Sequence, residues 1–240
     1  MRVAPDEPRF SVAQAIIGYV LALAVSLTGV SILLQATGYT STPTKDWPIW
    51  LRAVAQLPLW VGLVAVTVVI SHMWGTGRMR RDYGLRVVGT DIVLGLAIGA
   101  LLQLVFVNVL YRIIKLFVHI DSNSLEAPAR ELTRTATGRF GVVLLVLIVA
   151  VGAPIVEELF FRGLLLRSIQ AQYSDWLALV VSSLLFALVH FQAVQFPALV
   201  MVGLVLGYCA QRTGRLGLSI FVHIGFNATA VVDLLVRNKR

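Results

Sequence analysis

The sequence predicts an all-α protein, a polytopic transmembrane helical bundle of about seven helices, and two observations support this fold class. Of the 240 residues, 58% are hydrophobic and only 13% are charged, whereas a soluble domain carries roughly a quarter of its residues as charges. The apolar residues also lie in runs about as long as the ~20 residues that cross a hydrocarbon core. The chain therefore belongs to the membrane class.

The apolar runs predict the helices in chain order. The first run is longer than the apolar region of a cleaved signal peptide, so we expect it to be retained as a helix. The fourth run is long enough to be broken or to project from the bilayer, and Pro154 predicts a kink just before an acidic pair. The predicted helices cover residues 11–34, 49–72, 91–118, 140–169, 176–191, 197–212 and 216–236.

We divide the chain into two parts within one continuous membrane domain. Residues 1–138 are predicted to form the N-terminal transmembrane helices and their loops. Residues 139–240 are predicted to form the transmembrane core that carries the polar motifs described below. The expected location is the cell (plasma) membrane, as an integral, multi-pass protein.

The connections predict the orientation of the bundle. Residues 75–89 contain four arginines, which predicts a cytoplasmic loop and a cytoplasmic N-terminus by the positive-inside rule. Residues 119–139 are expected to hold a short surface helix. Seven crossings would place the basic tail, residues 237–240, on the outside, against the same rule. Either one apolar segment re-enters without crossing, or the tail is an exception.

The net charge of +8 does not indicate nucleic-acid binding. The basic residues gather at the ends of apolar segments, as orientation signals and headgroup anchors do. The single cysteine, Cys209, lies in an apolar run, so the chain has neither a disulfide framework nor a cysteine metal cluster. The bilayer is the partner that the composition predicts.

Three short polar clusters interrupt the apolar helices of the second half. Ionisable side chains at bilayer depth cost about 2.5–3.5 kcal/mol each by insertion-based estimates, so a chain that keeps them there is predicted to use them. A glutamate, a histidine and a histidine–asparagine pair from three helices are typical of one water-activating site. The clusters are Glu157-Glu158-x-x-x-Arg162, Phe186-x-x-x-His190 and His223-x-x-x-Asn227.

Helical spacing separates the roles of the two acids in the first cluster. Residues four apart share a helix face, so Glu158 and Arg162 are expected to form a supporting ion pair. Glu157 points about 100° away around the helix and is the candidate catalytic base. The alternative is that both acids only neutralise Arg162 and Arg167.

Phe186 and His190, in the second cluster, are expected to share one face of their helix. His190 is a candidate catalytic residue because the adjacent helices offer it partners, whereas Phe186 is expected to be a packing wall. His72 and His119 each end an apolar run and are assigned to the membrane interface.

His223 and Asn227, in the third cluster, also share a face. Both can donate hydrogen bonds, and two donors that converge on one point form an oxyanion hole. The alternative is an interhelical hydrogen-bonded pair that holds helices together.

In order and spacing, these clusters resemble the motifs of the CAAX protease and bacteriocin-processing family of intramembrane proteases, which includes type II CAAX prenyl endopeptidases. The resemblance covers residues 142–236, whereas the first three helices match only in being apolar. The matching residues are Glu157-Glu158-Leu159-Phe160-Phe161-Arg162-Gly163, Phe186-Ala187-Leu188-Val189-His190, Arg212-Thr213-Gly214-Arg215-Leu216 and His223-Ile224-Gly225-Phe226-Asn227.

The resemblance implies an endopeptidase that acts within the bilayer on membrane-embedded or lipidated peptides. It implies that Glu157 deprotonates a water molecule and that His190 helps to hold that water. His223 and Asn227 would stabilise the oxyanion, and Glu158 and Arg162 would support the site.

The sequence leaves two mechanisms open, one with a metal and one without. Glu157, His190 and His223 are permissible zinc ligands, and three protein ligands plus a water would suit a catalytic zinc. Members of the resembling family have been called metalloproteases for that reason. No HExxH motif is present, and Asn227 suits an oxyanion hole better than it suits zinc. We expect a metal-free mechanism, with zinc as the alternative.

Two functions other than proteolysis also fit a polar cluster inside a membrane. A non-proteolytic immunity or scaffold protein would use the cluster for binding. A small transporter or proton relay would also explain intramembrane acids and histidines, but nothing in the sequence indicates the duplicated halves common among transporters.

Overall fold

The computed structural model describes residues 10–119, 127, 130, 131 and 133–237. Across these residues the fold is all-helical, without a strand, which confirms the predicted polytopic bundle of about seven helices. The main helices are α1 (Val12–Thr37), α2 (Ile49–Trp74), α3 (Gly89–Ile114), α4 (Gly138–Gln170), α5 (Asp175–Leu188), α6 (Phe196–Thr213) and α7 (Gly217–Arg237).

Six helices of the described chain are long and apolar enough to cross a membrane, namely α1 to α4, α6 and α7. The helix α5 is apolar but only 14 residues long, which is shorter than the ~20 residues that span a hydrocarbon core. The chain is therefore an integral, multi-pass membrane protein, as the composition predicted.

One predicted boundary is wrong in a way that changes the site. The predicted helix 176–191 ends at Leu188, so His190 lies in a turn beyond α5 and not on its face. The reason is local: Phe191 has a positive φ of 52°, and a residue in this left-handed conformation ends a helix. The predicted surface helix within 119–139 falls largely outside the described residues.

One end of the bundle, which we call the basic end, holds the α2–α3 connection and the α6–α7 turn. Arg215 in that turn forms an ion pair of 2.7 Å with Asp91 at the start of α3. The start of α1 reaches the same end, since the ring centroids of Phe10 and Tyr83 lie 5.1 Å apart. By the positive-inside rule, we expect this end to face the cytoplasm.

The opposite end of the bundle holds the end of α7. Val231, near the end of α7, belongs to the same apolar cluster as Ile49 at the start of α2. The hydroxyl of Tyr111, near the end of α3, donates to the carbonyl of Val194 over 2.7 Å, so the α5–α6 connection lies there too. Successive helices therefore run in opposite directions, and α7 ends at the end of the bundle opposite the basic end. Of the two alternatives given above, this arrangement favours a basic tail that is an exception to the positive-inside rule. Residues 238–240 of the tail lie outside the described residues.

The buried side chain of Asp82 stabilises the α2–α3 connection by hydrogen bonds. Its buried carboxylate accepts hydrogen bonds from the Ser71 hydroxyl, the Thr76 hydroxyl at 2.6 Å and the Thr76 N–H at 3.0 Å. Burial raises the pKa of this carboxyl, but the hydrogen bonds from Ser71 and Thr76 outweigh burial and hold the pKa of Asp82 below its ordinary value. The ionised form therefore stabilises the connection.

We expect Asp82→Asn to lower the free energy of unfolding at neutral pH by about 1–3 kcal/mol, because buried donors lose an ionised acceptor. A carboxyl with a lowered pKa stabilises the fold above its unfolded-state pKa of about 4. This contribution disappears as the pH falls through the folded-state pKa. Thermal unfolding in detergent should show a difference from wild type that shrinks in acid.

The exposed Asp46, in the α1–α2 connection, offers a matched control for this substitution. Asp46→Asn should leave the unfolding temperature unchanged at neutral and at acidic pH. A difference for Asp82→Asn that stays constant with pH would contradict the assigned role of its carboxylate.

Candidate active site

The helix α4 carries the acidic pair between two segments of wider helical turn. Val146–Gly152 and Leu159–Leu165 form π-helical turns, and the short α-helical stretch Ala153–Glu158 lies between them. Single wide turns of this kind are frequent at functional sites. The helix continues past Pro154, because the preceding wide turn has already changed the hydrogen-bond register. The local irregularity predicted at the proline therefore takes the form of π turns.

The change of register leaves the carbonyl of Val149 without a helical donor. The N–H of Ala153 bonds to the carbonyl of Ile148, five residues earlier, so the next donor in this register would be Pro154, which has no N–H. The side chain of Asn227, on α7, supplies the missing donor, with its Nδ2 2.8 Å from the Val149 oxygen. One amide hydrogen of Asn227 thus joins two helices, and the amide nitrogen carries a second hydrogen.

A buried set of three charged or polar side chains joins α4 to α7. The expected ion pair is present: the Arg162 guanidinium donates to Glu158 Oε1 over 2.7 Å, and both side chains are at most 1% exposed. The same oxygen lies 3.0 Å from Nδ1 of His223. Arg162 also donates to the carbonyl of Gly203 on α6 over 3.3 Å. Glu158 is therefore the acceptor that holds Arg162 and His223 together.

These contacts determine which nitrogen of His223 carries the proton. The Glu158 carboxylate, paired with Arg162, is an acceptor, so Nδ1 of His223 is the donor. In the neutral imidazole Nε2 then has a lone pair, and it donates only when the ring is protonated. Nε2 lies 3.8 Å from Oε2 of Glu157, which is too long for a hydrogen bond but close enough for both atoms to contact one small group.

The two acids differ in environment, in the way that their spacing predicted. The side chain of Glu158 is completely buried, whereas 22% of the Glu157 side chain is exposed. Glu157 also lies next to a histidine nitrogen, while Glu158 already has two partners. Glu157 is therefore the acid that can meet a substrate or a water molecule.

Phe186 forms the wall between the two histidines. Its ring centroid lies 4.6 Å from that of His190 and 5.8 Å from that of His223. The Arg162 guanidinium carbon lies 4.3 Å from the same centroid, which is the geometry of a cation–π contact. Phe186 is 1% exposed. Its contacts agree with the packing role expected of it, and they bring both histidines to one ring.

His190 lies two residues beyond the end of α5, yet the helix still fixes its ring. Its Nδ1 is 2.7 Å from the carbonyl of Phe186, and a carbonyl only accepts, so Nδ1 is the donor. The carbonyls of the last turn of a helix have no N–H donor within the helix, and this bond supplies a donor to one of them. In the neutral ring, Nε2 is then the acceptor, available for a proton of a bound water or substrate.

The ligand set predicted for zinc is not assembled. Glu157 and His223 approach each other, but across the described residues no three side chains of His, Cys, Asp or Glu are grouped closely enough to hold a metal ion. Glu157, His190 and His223 in this arrangement therefore do not fit a three-ligand zinc site.

Two backbone carbonyls, which no sequence motif indicated, also bind side chains of the site. The carbonyls of Val149 and Gly203 accept the hydrogen bonds of Asn227 and Arg162. A Cβ atom on Gly203 would lie 3.0 Å from the Cβ of Ser183 on α5, so glycine allows α5 and α6 to pack closely. The small-xxx-small spacing of Gly203 and Gly207 was the available sequence signal for this packing.

Residues 139–229, which include all three polar clusters, match a family model described as "Rce1-like: Type II CAAX prenyl endopeptidase Rce1-like". The chain carries an Rce1-like domain. The family resemblance predicted from the three motifs is thereby confirmed for this segment. No solved structure matches the chain.

Two curated proteins are similar to part of this chain. An "Uncharacterized 24.3 kDa protein" of Escherichia coli is 33% identical over 88 residues, which cover 35% of this chain and 41% of the relative. The "Putative membrane peptidase YdiL" of Bacillus subtilis (strain 168) is 27% identical over 99 residues, which cover 40% of this chain and 41% of the relative. The matched segment thus spans less than half the length of each relative.

A double-mutant cycle tests whether Asn227 supplies the donor that Pro154 lacks. Asn227→Ala should lower the free energy of unfolding by about 1–3 kcal/mol, because a buried carbonyl loses its donor. Pro154→Ala restores an N–H that can reach the Val149 carbonyl. In that background Asn227→Ala should therefore cost less, as measured by thermal unfolding of the four proteins in detergent.

Strictly additive costs in this cycle would contradict the explanation. The Thr229 hydroxyl, which bonds to the carbonyl of Gly225 within α7 over 2.7 Å, provides the control. Thr229→Val should cost the same with Pro154 as with alanine at that position.

Proposed function

We propose that this protein is an intramembrane endopeptidase that hydrolyses peptide bonds of membrane-embedded or lipidated substrates in the cell membrane. The Rce1-like domain supports a protease of the CAAX type at the level of the family. The observation on which the mechanism rests is the array Glu157–His223–Glu158. A partly exposed carboxylate, Glu157, faces one nitrogen of a histidine whose other nitrogen is held by a buried carboxylate.

In the proposed mechanism, a water molecule binds between Glu157 and His190. The carboxylate of Glu157 and the bare Nε2 of His190 both accept hydrogen bonds, so they would orient the two hydrogens of the water towards themselves. The oxygen lone pair is then directed at the peptide carbonyl carbon. Glu157 takes a proton as the water oxygen bonds to that carbon, and the carbonyl π electrons move to the oxygen.

The proton on Glu157 gives His223 its second role. Oε2 of Glu157 lies 3.8 Å from Nε2 of His223, so a small closing movement passes the proton to the imidazole. Glu158 stabilises the resulting imidazolium through Nδ1, as the buried carboxylate of a catalytic triad does. His223 can then donate from Nε2 to the oxyanion, beside the second amide hydrogen of Asn227.

Collapse of the tetrahedral adduct returns the proton. The carbon–nitrogen bond breaks, the electron pair leaves with the amine nitrogen, and that nitrogen takes the proton held by His223 or Glu157. The carbonyl forms again as the new carboxyl group. Each group of the site ends in its starting protonation state, and the reaction consumes one water.

We propose that this chemistry needs no metal, and zinc content tests this directly. Purified protein should contain no stoichiometric zinc and should keep its activity after treatment with a chelator. One bound zinc per chain, with activity lost on chelation, would replace this mechanism with a metal-dependent one and leave the endopeptidase assignment in place.

The first test of the proposed function is peptidase activity of the detergent-solubilised protein on a library of membrane and lipidated peptides. Glu157→Gln should lower the turnover number by at least about a hundredfold, because the base is lost, and should leave the unfolding temperature unchanged. Glu158→Gln should lower the unfolding temperature as well, since breaking a buried pair costs about 3–5 kcal/mol.

Two outcomes would contradict the proposal. If Glu157→Gln cleaves as fast as the wild type, Glu157 is not the base. If folded wild type cleaves nothing in the library, the non-proteolytic immunity or scaffold role becomes the better account of the polar cluster.

A further inference from the structure

A cavity of about 170 Å³ lies at the basic end of the bundle, between α4 and α6. Its polar lining comes from Arg162, Arg167 and Gln170 on α4 and from Gln211 on α6. A water molecule takes about 30 Å³ in the liquid, so the cavity has room for a small polyatomic ion. The two guanidinium groups and the two amides all carry hydrogen-bond donors, which indicates an anion.

Arg162 lies at the inner end of the cavity, more than one helical turn before Arg167. Among the described residues, its guanidinium group donates to Glu158 over 2.7 Å and to the carbonyl of Gly203 over 3.3 Å. A guanidinium group has more N–H donors than these two bonds use. The charge of Arg162 is therefore paired, but N–H groups remain for a ligand in the cavity that it lines.

Arg167 lies nearer the basic end and has no such counter-charge. Its side chain is half-buried and donates to the carbonyl of Gly214 over 2.8 Å. Within the described part of the chain it forms no ion pair with a carboxylate. A charge withdrawn from water without a partner destabilises a fold, so an anion supplied from outside the chain would stabilise this guanidinium.

The neighbouring turns hold Arg167 in place. Gly84, in the α2–α3 connection, has a positive φ of 65°, and a Cβ atom there would overlap both the Arg167 guanidinium and the carbonyl oxygen of Gly214. The carbonyl of Gly84 accepts from the N–H of Leu216 over 2.8 Å, which joins this connection to the α6–α7 turn. Glycine therefore lets two turns close around the guanidinium. A side chain that is already fixed loses little entropy when it binds a ligand.

Exposed aromatic side chains place the mouth of the cavity at the membrane interface. Tyr173 and Trp176, on either side of the start of α5, are 55% and 70% exposed, and such residues are enriched at the headgroup level. Between them, Asp175 accepts from both glutamines of the cavity. Its carboxylate accepts from Gln170 over 2.7 Å and its carbonyl from Gln211 over 2.9 Å. The cavity therefore opens at the level where lipid phosphates lie.

We propose that this cavity binds a phosphate group, with Arg167 as the main ligand and Arg162 at the inner end. A planar guanidinium forms paired hydrogen bonds to phosphate oxygens. The group can come from an anionic lipid, since basic pockets between helices on the cytoplasmic side bind such headgroups, or from free phosphate, and the test separates these two sources. The inference does not depend on the proposed endopeptidase function.

The test measures the unfolding temperature of the full chain, purified in a non-ionic detergent without added lipid, at about 0.15 M salt. The probes are dioctanoyl phosphatidylglycerol, inorganic phosphate, and dioctanoylglycerol, which has the same acyl chains without the phosphate. A ligand that binds only the folded state raises the unfolding temperature. We expect a rise with phosphatidylglycerol and none with dioctanoylglycerol.

Arg167→Gln should raise the concentration of the active probe at half-maximal effect about 10- to 100-fold, because a charge-assisted hydrogen bond is lost. Arg167→Lys, which keeps the charge but not the planar group, should give a value between those of the wild type and Arg167→Gln. The control is Arg212→Gln, which removes an equal charge from an exposed residue at the same end of the bundle. It should bind like the wild type, because an exposed charge is screened by salt.

Each result bears on the inference. A rise with phosphatidylglycerol alone supports a lipid headgroup, and a rise with inorganic phosphate supports the free ion, provided that Arg167→Gln weakens the effect. A wild type that responds to neither probe, or equally to phosphatidylglycerol and dioctanoylglycerol, would overturn the phosphate site, and this comparison needs no variant. Equal weakening in Arg167→Gln and Arg212→Gln, or no weakening in either, would assign the effect to general surface charge and overturn the role of Arg167.

Discussion

The arrangement of the site depends on one buried carboxylate in an apolar bundle. Glu158 has no exposed surface, and its Oε1 accepts from Arg162 at 2.7 Å and from His223 at 3.0 Å. Neither charge of the ion pair is stable alone at this depth, since breaking a buried pair costs about 3–5 kcal/mol. Glu158 therefore fixes α4 against α7 through His223, and Arg162 fixes α6 through the carbonyl of Gly203.

The same carboxylate determines the chemistry of its neighbours. Glu158 accepts the hydrogen bond from Nδ1 of His223, so the unprotonated Nε2 of the same ring faces Glu157. The two adjacent acids thus divide into a completely buried acid and a partly exposed acid, and the division follows from the step of about 100° between successive residues of a helix. The π turn before the acidic pair, together with Pro154, leaves the carbonyl of Val149 without a helical donor, and the side chain of Asn227 on α7 donates to it.

The sequence predicts those features of the fold that depend on local pattern. The apolar runs place α1, α2, α6 and α7 within a few residues, and the spacing of the clusters predicts the Glu158–Arg162 pair. The position of His190 was predicted incorrectly, because the apolar run continues to Phe191 while the backbone turns at that residue. The bond from Asn227 to Val149 was not predicted, since it depends on a hydrogen-bond register that no side-chain pattern records.

The proton positions on His223 can be measured by nitrogen NMR of isotope-labelled histidine in the detergent-solubilised protein, with His223 assigned by substitution. We predict a resting His223 with its proton on Nδ1, and we expect protons on both nitrogens when a peptide aldehyde forms a tetrahedral adduct. A resting His223 with its proton on Nε2, or a ring that stays neutral in the adduct, would contradict the proposed proton transfer from Glu157.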